Sequence, residues 1–295
     1  MNRLSLDTIN KADKSAFVAA LGDIFELAPW VAETAYEKKP FPSLSALDAA
    51  MIAAVRSAAR EKQAALIKGH PDLAGKAARA GSLTVDSKAE QASAGLDRLS
   101  NEEFEAFHRL NESYRAKFGI PFIICVRRHT KDSILDQFEV RTKNDATAEH
   151  DTALVEIFRI AALRLDQRID APDRLRVNGR LSTHVLDTHG GRPAAGVAVE
   201  LLELAASGAA MPVARAATNA DGRTDQPLIA DRPIPIGRYE LRFGVGDYFA
   251  RQKIAAADPA FLDVVPVRFS VADAEGHYHV PLLATPWSYT TYRGS

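Results

Sequence analysis

RLDQRIDAPDRLRVNGRLSTH, residues 164–184, marks the point where the apolar period of this chain changes from that of a helix to that of a strand. Upstream, Leu154, Ile157, Phe158, Ala161 and Leu165 recur at three- and four-residue steps. That is the stripe of an amphipathic helix, and it should end before the breaker Asp170-Ala171-Pro172-Asp173. Downstream, Leu181, Thr183 and Val185 alternate with Ser182, His184 and Leu186, as on a strand with one buried face. The switch predicts two domains: an all-α, bundle-like domain over 1–168 and an all-β sandwich over 178–295, joined by a linker at 169–177. A length of 295 residues is natural for two such cores and long for one.

Charge is balanced, 37 Lys and Arg against 38 Asp and Glu, with no long run of one sign. Nothing here suits nucleic acid or an anionic membrane surface, and a small-molecule ligand fits better. The single cysteine, Cys125, lies in the apolar run Phe122–Val126. No disulfide can form within the chain, a reducing compartment is expected, and Cys125 reads as a small core residue rather than a nucleophile. The start of the chain lacks the apolar core of a signal peptide, and no stretch approaches the roughly 20 apolar residues of a membrane span. A soluble cytoplasmic protein is expected.

Within the first domain, Asp13 should cap a helix carrying Phe17, Leu21 and Phe25, Pro29 should open a second, and Ser43 should cap a third with Leu47, Met51 and Val55. Ser100 and Glu103 make a capping box ahead of Phe104, Phe107, Leu110 and Tyr114. Two stretches break the helical pattern, LIKGHPDLAG at 66–75 and FGIPFIICV at 118–126, and breaks are where function tends to sit. His70, between Gly69 and Pro71, must stand at a helix end, as an acid-base group or as an ordinary cap. Ser87, Glu90 and Gln91 share one helix face by their spacing, which alone reads as a solvated polar face.

The ordered motifs HPDLAG, LTVDSKAEQASAGL, LNESYRAKFGIPFI and RIAALRL resemble 2-oxo-4-hydroxy-4-carboxy-5-ureidoimidazoline (OHCU) decarboxylase over nearly all of residues 8–168. The resemblance implies an all-helical dimer that uses no cofactor and produces (S)-allantoin. It places the catalytic residues at His70 and Glu90, and substrate contacts at Pro71, Ser87, Gln91, Arg164 and near the backbone of Ile123. One departure is Ile120, where the family more often has Phe. Decarboxylation at a carbon flanked by ring nitrogens needs a proton carrier, for which His70 is suited. Arg164 can grip a carboxylate or ureido oxygen, and Glu90 with Gln91 can fix ring and ureido N–H groups.

In the second domain, turn signals at 190–193, 221–222, 235–237 and 275–276 separate alternating runs such as Val265, Val267, Phe269 and Val271, which argues for a sandwich. A short helical insertion is expected at Asp258–Phe261. In the strand HYHVP, His277 and His279 face one way and Tyr278 and Val280 the other. Three readings follow from spacing: structural histidines, a zinc site completed by His184, or a metal-free acid-base site.

LSTHVLDTHGGRPAAG, TNADGRTDQPL and the ending HVPLLATPWSYTTYRGS resemble 5-hydroxyisourate hydrolase of the transthyretin-like family over residues 178–295. Minor departures are Ala284-Thr285 and Trp287, where the family often has Leu-Ser and Phe. The resemblance implies a metal-free tetramer of sandwiches with catalytic residues at His184, Arg223, His279 and Ser295, and substrate contacts at Tyr292, Arg293 and Gly294; His277 matches the motif without a catalytic role. A histidine would strip water of its proton, and Arg223 would face the developing oxyanion. The Ser295 carboxylate is expected to orient a histidine or arginine. The two activities are consecutive, 5-hydroxyisourate giving OHCU and OHCU giving (S)-allantoin, in a homo-oligomer that needs no cofactor. A peroxisomal targeting pattern of the kind borne by plant fusions begins at Arg174-Leu175 but is broken by Leu181-Ser182, which favours the cytoplasm. The competing classes are a transthyretin-like carrier with inert sites and a zinc-dependent amidohydrolase.

Overall fold

The computed structural model describes residues 3–75, 83–254 and 259–294. The chain divides into two compact units, one of Met1–Arg127 with Ile134–Val177 and the other of Arg128–Ser133 with Asn178–Ser295.

The first unit is helical: α1 (Leu6–Lys11), α2 (Lys14–Leu21), α3 (Trp30–Tyr36), α4 (Leu44–Arg56), α5 (Arg60–Lys68), α6 (Val85–Ser93), α7 (Asn101–Phe118), α8 (Lys131–Arg141, whose first residues fall in the other unit) and α9 (Ala146–Arg168). Their starts follow the local chemistry. Asp13 accepts from the Ala16 N–H, Ser43 from Ala46, and Ser100 and Glu103 close the capping box of α7, each cap worth about 1 kcal/mol. Phe25 departs from expectation: α2 stops at Leu21 with Gly22 as its cap, because glycine is a poor helix former. Phe25 reaches the core from a turn instead. In α9 all of Leu154, Ile157, Phe158, Ala161 and Leu165 are buried, and a large apolar side chain buried in this way contributes about 1.5–3 kcal/mol. The residues after α9 are tied to this unit. β2 (Ile169–Asp170) pairs in parallel with β1 (Leu4–Ser5), and Asp173 accepts from the Leu44 and Ser45 N–H groups.

The second unit is a β-sandwich. One sheet is antiparallel in the order β10 (Val264–Val271), β9 (Gly237–Gly244), β6 (Ala198–Leu204), β7 (Ala210–Ala217). Opposite it lie two shorter ladders: β11 (His277–His279), β3 (Gly179–Ser182) and β8 (Ile229–Arg232), then β13 (Tyr289–Thr291), β12 (Leu282–Ala284), β4 (Val185–Asp187) and β5 (Arg192–Pro193). The single strand expected through Leu181–Leu186 is therefore two. Its alternation nevertheless holds, with Leu181, Thr183 and Val185 buried and Ser182, His184 and Leu186 half-buried. The pairing with the neighbouring segment runs on across the break, Val280 N–H donating to Ser182 O and Leu282 N–H to His184 O. The core is built from Leu201, Leu241, Phe243, Val265, Leu282 and their neighbours.

The insertion expected at Asp258–Phe261 is not helical where it is described: Pro259–Phe261 form a bend, and Asp258 lies outside the described residues. Among the described residues the helix lying wholly in this unit is α10 (Val245–Arg251), where Val245, Tyr248 and Phe249 at helical spacing are all buried. Among the described residues no helix is long and apolar enough to cross a membrane.

Candidate active sites

In the helical unit the seven residues named for decarboxylation, His70, Pro71, Ser87, Glu90, Gln91, Ile123 and Arg164, line one pocket together with Cys125, Arg127 and Leu163. The elements place them simply. Gly69 caps α5, so His70 leaves the helix end and turns inward; α6 presents Ser87, Glu90 and Gln91 on one face; α9 delivers Arg164.

His70 is 8% exposed and its Nδ1 lies 3.0 Å from Leu66 O. A carbonyl can only accept, so Nδ1 carries the proton and Nε2 keeps its lone pair. Burial pushes the imidazole down to about 4, against the Leu66 carbonyl and the charge of Glu26, both of which favour the protonated form. At neutral pH it is an uncharged base.

Arg164 is committed to protein partners. Its Nε and Nη2 donate to the two Glu90 oxygens at 2.8 and 2.9 Å, and Nη1 donates to Glu26 at 2.9 Å and to Ile24 O at 3.3 Å. The fork expected to grip substrate is closed on Glu90, and Glu90, expected to meet substrate N–H groups, accepts from Arg164 with both oxygens. Gln91 Oε1 accepts from Ala74 N–H at 3.0 Å, which fixes the amide. Ile123 O accepts from Arg141, which leaves one of its two lone pairs and the N–H to a ligand.

Glu26 is a functional candidate absent from the sequence reading. It is buried, and its second oxygen accepts from the Thr84 hydroxyl at 2.6 Å. Burial pushes its carboxyl up, but the Thr84 hydroxyl and Arg164 together outweigh burial and hold it below the usual range. The capping role of Thr84 on α6 was a legible signal, but the reach to Glu26 was not.

In the sandwich, β3 and β11 run in parallel with Ser182 opposite His279. His279 Nε2 lies 2.7 Å from His184 Nδ1, and His279 Nδ1 lies 2.9 Å from the Ser182 hydroxyl. Arg223 forms a bridge with His184 and lines a pocket with Arg180, Ser182, Thr183, His277 and His279. Burial, followed by the Arg223 charge, lowers the pKa of His184; burial, then His184 and Arg223, lowers that of His279. Both rings are neutral at physiological pH, with one proton shared along their short contact.

His184, His277 and His279 do not converge as a ligand set: Ser182 stands between His277 and His279, and among the described residues no three His, Cys, Asp or Glu side chains are grouped to hold a metal.

The tail is placed unevenly. Gly294 pairs with His279, its N–H donating to His279 O at 2.8 Å, and a Cβ on it would lie 2.6 Å from His279 Cδ2. Arg293 instead covers the Tyr278 ring at 4.9 Å, and Tyr292 is exposed; neither lines the pocket. Ser295 lies outside the described residues. Arg180 and Ser182 were missed, although their strand parity with His184 pointed to them.

Residues 10–166 match the OHCU decarboxylase family and residues 181–294 the HIUase/transthyretin family. The OHCU decarboxylase of Haloferax volcanii is 44% identical over 171 residues, 58% of this chain and 99% of the relative. The 5-hydroxyisourate hydrolase of Deinococcus radiodurans is 59% identical over 115 residues, 39% of this chain and 95% of the relative. A crystal structure of (S)-allantoin synthase superposes with a TM-score of 0.54 at 32% identity, covering 99% of this chain and all of that one. The chain thus belongs to the OHCU decarboxylase family through its helical unit and to the HIUase/transthyretin family through its sandwich.

Proposed function

We propose that this chain catalyses two consecutive steps of urate degradation, ring-opening hydrolysis of 5-hydroxyisourate to OHCU and stereospecific decarboxylation of OHCU to (S)-allantoin. The observation that carries the reading is that each unit assembles a neutral histidine base beside an arginine, His70 with Arg164 in one and His184–His279 with Arg223 in the other. A carrier needs neither arrangement.

In the hydrolase, a histidine takes the proton of a water whose oxygen bonds to the ring carbonyl carbon. The C–N bond then breaks, and the proton returns to the departing nitrogen. Arg223 opposes the charge on the carbonyl oxygen while it is tetrahedral. In the decarboxylase, His70 Nε2 accepts a proton from the substrate hydroxyl. Loss of carbon dioxide leaves an electron pair delocalised in the ring, and one proton delivered from the His70 side sets the hand of the product. The Leu66 carbonyl holds the tautomer that this requires. The roles of Pro71, Ser87, Glu90, Gln91, Ile123 and Arg164 are to shape and orient, and Tyr292, Arg293, Gly294 and Ser295 belong with the hydrolase.

The helical domain is assigned to 1–168 and the hydrolase domain to 178–295. The substrates are small molecules, no cofactor takes part, and the protein works in the cytoplasm as a homo-oligomer of dimeric helical and tetrameric sandwich domains. The test is to generate 5-hydroxyisourate from urate in situ, add purified, chelator-treated protein and follow absorbance and circular dichroism. Both intermediates should vanish faster and dextrorotatory allantoin should accumulate, with His279→Ala blocking the first step and His70→Ala only the second. Spontaneous rates and racemic product would return the carrier reading.

A further inference from the structure

The two ring nitrogens of His279 are both engaged, Nε2 with His184 Nδ1 at 2.7 Å and Nδ1 with the Ser182 hydroxyl at 2.9 Å. The only ring nitrogen of the pair without a partner inside it is His184 Nε2. Each contact has one proton, and the two contacts share a ring, so their directions are linked. If Ser182 donated to His279 Nδ1, then His279 Nε2–H would donate to His184 Nδ1, and His184 would carry its proton on Nε2. No bare nitrogen would face water. In the opposite direction His279 Nδ1–H donates to Ser182, His184 Nδ1–H donates to His279 Nε2, and His184 Nε2 is left with its lone pair. The hydroxyl hydrogen of Ser182 is then free to point towards His277 Nε2, 3.5 Å away.

We propose that Ser182 is a positioning residue of the hydrolysis: its hydroxyl oxygen holds His279 in the Nδ1–H tautomer, which leaves His184 Nε2 as the nitrogen that takes the proton from water. The inference rests on the hydrolase reading and deepens it, since it says which histidine meets the water and what keeps it bare. Ser182 earns this place through the strand register, which sets it opposite His279, on the same strand face as His184. When His184 Nε2 accepts the water proton, its Nδ1 proton moves towards His279, and the charge is spread over both rings with Ser182 accepting from the far end. The proton returns by the same path to the departing ring nitrogen.

The groups that face His279 are His184, Arg223 and His277, and Arg180 and Asp225 line the same pocket; all persist in a Ser182 variant, so a change in pH profile reports the lost hydroxyl. The experiment compares the full chain with Ser182→Ala and Ser182→Thr in 5-hydroxyisourate hydrolysis across pH, with thermal unfolding of each. Ser182→Ala should lower kcat about 100-fold, because an imidazole without its orienting partner populates the wrong tautomer. KM should stay within about twofold, and the acid limb should move to lower pH because the cationic pair loses an acceptor. Ser182→Thr should restore most of kcat and the original limb. A Ser182→Ala enzyme with unchanged kcat and limb, or a Thr variant as slow as Ala, would overturn the proposal. A second measurement needs neither variant nor substrate: nitrogen chemical shifts of the unsubstituted full chain, labelled in histidine, should show His279 protonated on Nδ1 and bare on Nε2 at neutral pH. A proton on Nε2 would overturn the assignment even if hydrolysis were fast, whereas a correct tautomer without hydrolysis would refute the activity and not the geometry.

Discussion

The two units solve one problem, keeping an imidazole uncharged at neutral pH, by burial in both and with different charges set beside it. In the helical unit it is done by exclusion of water: His70 is nearly fully buried, and the charges around it are locked into a lattice in which Arg164 neutralises Glu26 and Glu90. In the sandwich His279 is as buried as His70 while His184 is half-buried, and the pair is kept neutral first by burial and then by the cationic Arg223, with His279 held down further by His184. A site whose charges are buried and paired is costly to breach, and one that sets an exposed charge beside buried rings is tunable. That contrast orders what each substitution should do.

The largest effect should come from Arg164→Ala. It would strand the Glu26 and Glu90 carboxylates, with side chains only 3% and 15% exposed, and breaking a buried pair costs about 3–5 kcal/mol. Thermal unfolding of the helical unit should fall by about 10 °C, and decarboxylation should be lost. Arg223→Ala, at an exposed position, should change stability by less than about 0.5 kcal/mol while still slowing hydrolysis. Equal stability losses at the two arginines, measured by calorimetry, would erase the distinction between the units.

Next in size is Gly294→Ala. Its Cβ would need the space of His279 Cδ2, 2.6 Å away, and a ring displaced by about an ångström can cost about 100-fold in rate. Hydrolysis should drop by that order while decarboxylation in the same preparation is unchanged. Full hydrolase activity in this variant would mean that the tail does not lie against His279 in the working enzyme.

Much of this arrangement was legible in the sequence. The change of period at 164–184 placed the junction, the caps at Asp13, Ser43 and Ser100 fixed helix starts, and motif order named the seven residues that share the helical pocket but only Arg223 and His279 of those lining the sandwich pocket. What was not legible has physical reasons. Glu26 meets Arg164 across 138 positions, and a carboxylate in an ordinary amphipathic stretch looks solvated until the fold encloses it. The division of one alternating run into β3 and β4 leaves its burial pattern unchanged, so alternation alone could not reveal it. The fork of Arg164 was expected to be open, because a motif records which residues converge and not which of them hold one another. Ser182 and Arg180 were within reach, since strand parity sets them on the His184 face.

The pH dependence sharpens the comparison further. With His70 pushed down to about 4, kcat/KM for decarboxylation should stay flat from neutrality until its acid limb near pH 4. The hydrolysis limb should lie below the ordinary histidine value of 6.5. The sign for stability follows the same shift: His70 binds its proton less readily folded than unfolded. Its contribution is therefore fully present above about pH 6.5 and is lost as pH falls towards about 4. A decarboxylation limb at pH 6 to 7 would show that His70 is hydrated in the working enzyme or is not the base.

The smallest effect should be that of salt, and it separates the two mechanisms most directly. Arg223 acts on the histidine pair from an exposed position, and at an ionic strength of about 0.15 M charges in water are screened over about 8 Å. Raising salt from about 0.05 to 0.5 M should weaken its hold, let the pair protonate more readily and shift the hydrolysis limb to higher pH. Hydrolysis on that limb should then slow by about twofold, the scale on which exposed charge pairs act. The charges that bear on His70 are Glu26 and Arg164, both buried and paired with each other, so little salt can come between them. The decarboxylation limb should not move. A limb that moved with salt in the helical unit and stayed fixed in the sandwich would reverse the assignment of buried, paired charges to the first site and an exposed charge to the second.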